Sequence, residues 1–160
     1  MNENLARWTA ASINVYFKTV ADTIGLTYFV EGVDERDSGT MLAEHAELRL
    51  SGPFIREVSN GYWRIHVDVN VMLTDQMKMS TEGAYDIHDW GGAFLAAMLE
   101  PIPVYRLGAG VEDDDSLIGC LTQRKGFSEP VRLIHFGQVS REDRIRQAVV
   151  DGRFEMYLSM

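Results

Sequence analysis

Residues 62–74 read YWRIHVDVNVMLT, and every second side chain is apolar: Trp63, Ile65, Val67, Val69, Val71 and Leu73. The intervening residues, Tyr62, Arg64, His66, Asp68, Asn70, Met72 and Thr74, fall on the opposite face of an extended chain. A repeat of two sustained over this length fits a strand with one buried face and excludes a helix, whose period is about 3.6. Directly before it stands Asn60-Gly61. That pair suits a two-residue type I′ turn, which needs positive φ at both central positions. Turn and alternation together predict a β-hairpin over about 44–74, and no other stretch restricts the fold as tightly.

The turn implies a register. With Ser59 opposite Tyr62, paired residue numbers sum to 121. Val58 is then expected to face Trp63, Phe54 to face Val67, Leu50 to face Val71 and Leu48 to face Leu73, all on the apolar side. Glu57 is expected opposite Arg64, a favourable cross-strand charge pair. Arg56 is the misfit, falling on the apolar side opposite Ile65. At about 3.3 Å per residue each arm is roughly 40 Å long, well beyond the usual five or six residues, so the hairpin is expected to project beyond a compact body. Pro53, which has no amide donor, marks the first arm as an edge or as locally irregular.

The remaining pattern supplies helices and shorter strands. Leu5, Trp8, Ile13, Tyr16, Phe17, Val20 and Ile24 recur at helical spacing and predict a helix over 4–23, with Gly25 as its stop. Residues 26–33 (LTYFVEGV) read as a strand and 34–40 (DERDSGT) as a loop. A second helix is predicted over 86–99, with Asp86 as N-cap and Pro101 beyond its end. Gly91-Gly92 inside it implies a close approach to a sheet. Strands are predicted over 103–107, 117–122, 131–136 and 146–158. An acidic loop covers 108–116, and Ser140 with Asp143 resembles a capping box opening a helical turn. Helix, strand, hairpin, helix and a further run of strands define an α+β fold: a mainly antiparallel twisted sheet with two packed helices.

A chain of 160 residues is expected to form one domain, 1–160, with a core large enough to need no staples. No run of eighteen apolar residues occurs, so no membrane-spanning helix is expected. The first ten residues, MNENLARWTA, lack the basic segment and apolar stretch of a signal peptide, and Cys120 alone cannot form an internal disulfide. Intracellular synthesis and assembly is the resulting expectation. The net charge of −9 argues against a general grip on nucleic acid. Arg141, Arg144, Arg146 and Arg153 gather late in the chain, but Glu142, Asp143 and Asp151 interleave with them and imply a salt-bridged strip.

Motifs of catalysis are missing. His66 and Asp68 share one strand face, a spacing that offers two metal ligands without naming a third. His88 and Asp89 beside Asp86 suit the positive end of a helix better than catalysis. The run Glu112-Asp113-Asp114-Asp115 lacks the alternation and closing glutamate of a calcium loop, and Gly108-Ala109-Gly110 lacks the third glycine of a dinucleotide fingerprint. Cys120, flanked by Leu117, Ile118 and Leu121, reads as a buried inert thiol. The chain contains no Gly-x-Ser-x-Gly, HExxH or P-loop motif. A non-enzymatic protein with no cofactor and no metal is expected. The competing reading is a small-molecule-binding, metal-binding or enzymatic α+β domain with a site near His66, Asp68 and Asn70.

An amphipathic N-terminal helix, the long hairpin containing GYWRIHVDVNVML, a second helix and the closing SREDRIRQAVVDGRFEMYL together resemble tailed-bacteriophage tail proteins of the terminator, or tail-completion, type. More loosely, the pattern resembles the related tail-tube proteins. The resemblance implies a structural virion protein forming a homohexameric ring that terminates the tail tube at the head-tail neck. Its implied partners are other copies of itself, the tail-tube protein and a connector or neck protein, with genomic DNA passing through the lumen without specific binding and no membrane involved. Assembly would take place in the host cytoplasm and the mature protein would sit in the virion. A tail-tube or neck-adaptor subunit is the alternative, and 108–126 would be an insertion relative to a minimal terminator. Candidate subunit-interface residues are Phe54, Arg56, Glu57, Arg64, His66, Asp68, Arg144 and Arg146. Six copies would together carry −54, an acidic lumen that lets DNA slide.

Overall fold

A computed structural model describes residues 3–32, 44–78, 81, 83–106, 117–142 and 144–159. The predicted loop at 34–40 and the acidic and glycine motifs at 108–115 lie outside the described residues. In chain order the elements are α1 (Leu5–Ile24), β1 (Thr27–Val30), β2 (His45–Ser59), β3 (Tyr62–Gln76), α2 (Asp86–Leu99), β4 (Ile102–Tyr105), β5 (Leu117–Gln123), β6 (Val131–Ser140) and β7 (Ile145–Ser159). The sheet runs β1-β2-β3-β7-β5-β4, with β6 also paired to β7. Only the short β1–β2 contact is parallel; the other pairings are antiparallel. The fold is therefore α+β, with two helices on a curled, mostly antiparallel sheet.

Alternation in β3 does what its pattern requires. Ile65, Val67, Val69, Val71 and Leu73 are buried, and β7 adds Ala148, Val150, Phe154 and Met156 beside them. Phe17 and Ile13 of α1 and Ile87, Phe94 and Met98 of α2 close the core. Phe17 and Phe94 meet with ring centroids 6.2 Å apart. Each fully buried side chain of this size contributes about 1.5–3 kcal/mol. The Tyr16 hydroxyl donates to the Ala97 carbonyl at 2.8 Å, tying the two helices together. Gly25 ends α1 in the left-handed region at φ 70°. Gly91 is the predicted close approach, since a Cβ there would stand 2.9 Å from Cδ1 of Leu133 on β6. Gly92 has no neighbour within 4 Å and is not needed for packing.

The β2–β3 register departs from the sequence expectation. Ser59 does face Tyr62, but Glu57 then faces Trp63, leaving Val58 as an extra residue. Below it, Arg56 faces Arg64, Ile55 faces Ile65 and Phe54 faces His66. A second irregularity sets Gly52 and Pro53 against Val67 alone. Two inserted residues restore the original phase, so Leu50 faces Val69 and Leu48 faces Val71. Arg56 is thereby moved off the apolar face and replaced by Ile55, which resolves the misfit. The expected Glu57–Arg64 pair does not form. Gly52 sits at φ 102°, and a Cβ there would lie 2.9 Å from the Phe54 amide nitrogen. Only glycine fits that bend.

β7 runs beside β3 from Tyr62↔Ser159 to Gln76↔Ile145, so both arms of the turn belong to a three-stranded ribbon. Among the described residues, β2 has an outer partner only along His45–Leu48, and β6 has none on its outer side. Three further expectations are corrected. Ser140 ends β6 and β7 begins at Ile145, with Arg144 just before it at φ 55°, so the capping-box pattern starts no helix. Tyr85, not Asp86, is the N-cap of α2; Asp86 and Asp89 instead face the dipole from its first turn. Cys120 is exposed, because Leu121 takes the buried face of β5 and the adjacent residue must point the other way.

Candidate functional site

Because β3 alternates strictly, its even-numbered side chains project together from the face opposite the core. β2 and β7 add the neighbours that register dictates. Near the turn, Arg56, Arg64 and Tyr157 form one cross-strand row, and Phe54, His66 and Glu155 the next. Two arginines placed directly opposite repel. The strain is relieved by Glu155, whose Oε2 accepts from Arg64 at 2.7 and 3.0 Å. The Glu155 side chain is almost wholly buried, so this pair is part of the sheet's structure. Phe54 lies flat on His66, centroids 4.8 Å apart and 24° between planes.

Behind this row sit Arg153 and Arg124. Both guanidiniums cover the ring of Phe127, at 4.4 and 5.1 Å from its centroid. Burial first, then the charges of Arg124 and Arg64, push the His66 imidazole below its ordinary pKa against the smaller opposing pull of Asp68 and Glu155. Such surroundings disfavour a bound cation, so the His66–Asp68 spacing makes a poor metal site. Among the described residues no three His, Cys, Asp or Glu side chains converge to hold a metal.

Further along, the same face hollows into an open cleft of about 510 Å³ between Arg49, Asp68, Asn70, Asp151 and Arg153 on one side and Ile134 and Phe136 on the other. Asp151 is held by three contacts from Arg132 at 2.9–3.1 Å. Asp68 Oδ1 is buried without a hydrogen-bond partner.

The eight sequence candidates divide. Phe54, Arg56, Arg64, His66 and Asp68 do share one face. Glu57 is on the other, its Oε1 accepting from the Gly61 amide at 3.1 Å across the turn. Arg144 and Arg146 lie at the opposite end of the ribbon. The Arg144 carbonyl accepts from the Met77 amide at 2.8 Å. Arg146 turns inward: it bonds both ways to Asp75 and donates to the Ala84 carbonyl at 2.7 Å and the Gly83 carbonyl at 3.3 Å. Sequence reading missed Arg124, Phe127, Arg153 and Tyr157. Arg153, Glu155 and Tyr157 alternate with Phe154, Met156 and Leu158, so their shared face was legible, but the strand they would lie beside was not.

No protein-family model matches the chain, and no curated protein matches it. One similar solved structure covers 96% of this chain and 94% of its own, at 10% identity and a TM-score of 0.45, under a name that states no function. A likeness of that size assigns neither family nor activity.

Proposed function

We propose that the chain is a structural virion protein of a tailed phage, a subunit of a hexameric ring that terminates the tail tube and joins it to the head-tail neck. One observation carries this reading: among the described residues the sheet leaves unpaired strand edges on opposite sides. One is the outer side of β2 beyond Leu48; the other is the outer side of β6. Unpaired strand edges are association surfaces, and two different ones on opposite sides suit a head-to-tail contact that closes by rotation. β6 also exposes Phe136 and Val139 beside its edge, and Val58 and Tyr62 are exposed toward the turn. In this reading the long β2–β3 hairpin projects toward the neighbouring subunit, and the tail-tube and neck proteins stack on the ring's two ends. A tail-tube or neck-adaptor subunit would use the same edges and differs in its axial position.

Native mass spectrometry of the purified chain is expected to show one closed hexamer. Phe136→Lys with Val139→Lys is expected to release monomers whose melting temperature is unchanged, since both positions are exposed. A protein that stays monomeric at high concentration, or a ring indifferent to the β6 substitutions, refutes the proposal. Immunogold labelling of particles separates terminator from tube: label at one end of the tail supports the first, and label along its length the second.

A further inference from the structure

The net charge of −9 conceals an uneven distribution. Arg56, Arg64, Arg124, Lys125, Arg132 and Arg153 lie on or beside one face of the ribbon, against Asp68, Glu129, Asp151 and Glu155. Glu155 neutralises Arg64, and Asp151 neutralises Arg132. Among the described residues Arg56, Arg124 and Arg153 have no carboxylate within ion-pair distance. Arg153 passes over its cross-strand neighbour Asp68 and packs on Phe127 instead.

Aromatic rings stand among these cations. Phe54 is 49% and Tyr157 56% exposed, although each has a core-facing neighbour in sequence. They lie two strands and two residues apart, roughly 12 Å from strand spacing and rise. Phe54 already rests flat on His66, which holds its ring parallel to an incoming plane. Burial is the main cause of the depressed His66 imidazole, and the charges of Arg124 and Arg64 add to it. Free guanidiniums tracking a backbone, interleaved with open ring faces, are what unpaired nucleotides require: phosphate for the cations, a π-face for each ring. A duplex hides its base faces, and an acidic peptide has no flat groups for the rings.

We propose that this face binds single-stranded nucleic acid without sequence preference, through phosphate contacts from Arg56, Arg124 and Arg153 and base stacking on Phe54 and Tyr157. The inference stands apart from the ring reading, because it concerns the sheet face and not its edges.

Fluorescence anisotropy of the full chain with a labelled oligothymidylate tests it. Three phosphate contacts at a slope of about −0.7 each make a fourfold rise in salt, from about 50 to 200 mM, weaken binding about 20-fold. Replacing Arg56, Arg124 and Arg153 by Gln removes that salt dependence along with most of the affinity. Phe54→Ala with Tyr157→Ala lowers affinity by roughly tenfold or more and leaves the slope intact. Both aromatic positions are exposed, so the folded state survives their loss and its melting curve confirms it. Arg7→Gln with Lys18→Gln, on the exposed side of α1, changes nothing. Absence of binding at low salt overturns the proposal. So does a duplex or a polyglutamate binding as tightly as the single strand, or the aromatic variant binding like the parent.

Discussion

Arg146 and Asp75 offer the sharpest test of how the far end of the ribbon is held. The Asp75 side chain is 2% exposed and that of Arg146 15%. One guanidinium satisfies the carboxylate through two nitrogens and also donates to the carbonyls of Ala84 and Gly83, just before α2. Replacing Arg146 by Met preserves the apolar stem but strands a buried carboxylate and removes donors from two carbonyls. Breaking a buried pair this way costs about 3–5 kcal/mol. Against a total stability of about 5–15 kcal/mol, that is about a fifth or more of what holds the chain folded. With a urea m-value near 2 kcal/mol/M, a loss of about 4 kcal/mol moves the midpoint down by about 2 M. The double variant Asp75→Leu/Arg146→Met removes the charge with its partner and is expected to recover most of the loss, giving a strongly non-additive cycle. Urea titration followed by tryptophan fluorescence measures all four corners. A single substitution costing under about 1 kcal/mol, or a double costing the sum of its singles, refutes the reasoning.

Other outcomes follow from the same geometry. Gly52→Ala is expected to lose about 1–3 kcal/mol by thermal melt, because φ of 102° and the Phe54 amide both oppose a Cβ. Phe17→Ala opens a cavity between the helices and the sheet and is expected to cost about 3–5 kcal/mol in the same assay. His66 and His135 both titrate below the ordinary imidazole range, His135 through burial first and then the neighbouring His88 and Arg146 charges. The folded state therefore resists protonation that the unfolded chain accepts. Stability is whole above about pH 6.5 and declines as pH falls from there toward the folded-state values. His66→Asn with His135→Asn is expected to flatten that decline in urea titrations at pH 7.5 and 5.0; an unchanged slope would show that other groups set it.

Local chemistry made much of the fold legible. The α1 stripe predicted 4–23 and the element is Leu5–Ile24; α2 has the predicted limits, set by the acidic first turn and Pro101. The apolar face of β3 was equally plain, and the turn falls at Asn60-Gly61 as expected, but it is not the expected type I′ turn, since Gly61 takes positive φ (73°) and Asn60 does not. The register was not, because two single-residue insertions in β2 leave no mark on hydrophobic periodicity beyond Gly52-Pro53 and the misplaced Arg56. Pairing between β3 and β7 joins residues 69 to 97 apart, from Gln76↔Ile145 to Tyr62↔Ser159, which no local pattern encodes. For that reason Arg64 was matched with Glu57 when its partner is Glu155, and the grouping of Arg124, Phe127 and Arg153 with the hairpin stayed invisible. Arg146, interleaved with acids in sequence, looked like surface and is an internal strut.

The two bulges of β2 give this arm two points at which its length can change. Outside them, sequence phase and sheet face are locked together by the core; between them, residues 54–57 are read one step out of phase. Deleting Val58, or one residue of Gly52-Pro53, would remove that bulge and leave the remaining pairs, Glu57↔Trp63 through Phe54↔His66 and Ser51↔Asp68 onward, with the partners they have. One residue can thus be lost at either point without changing which side chains the arm shows to either face.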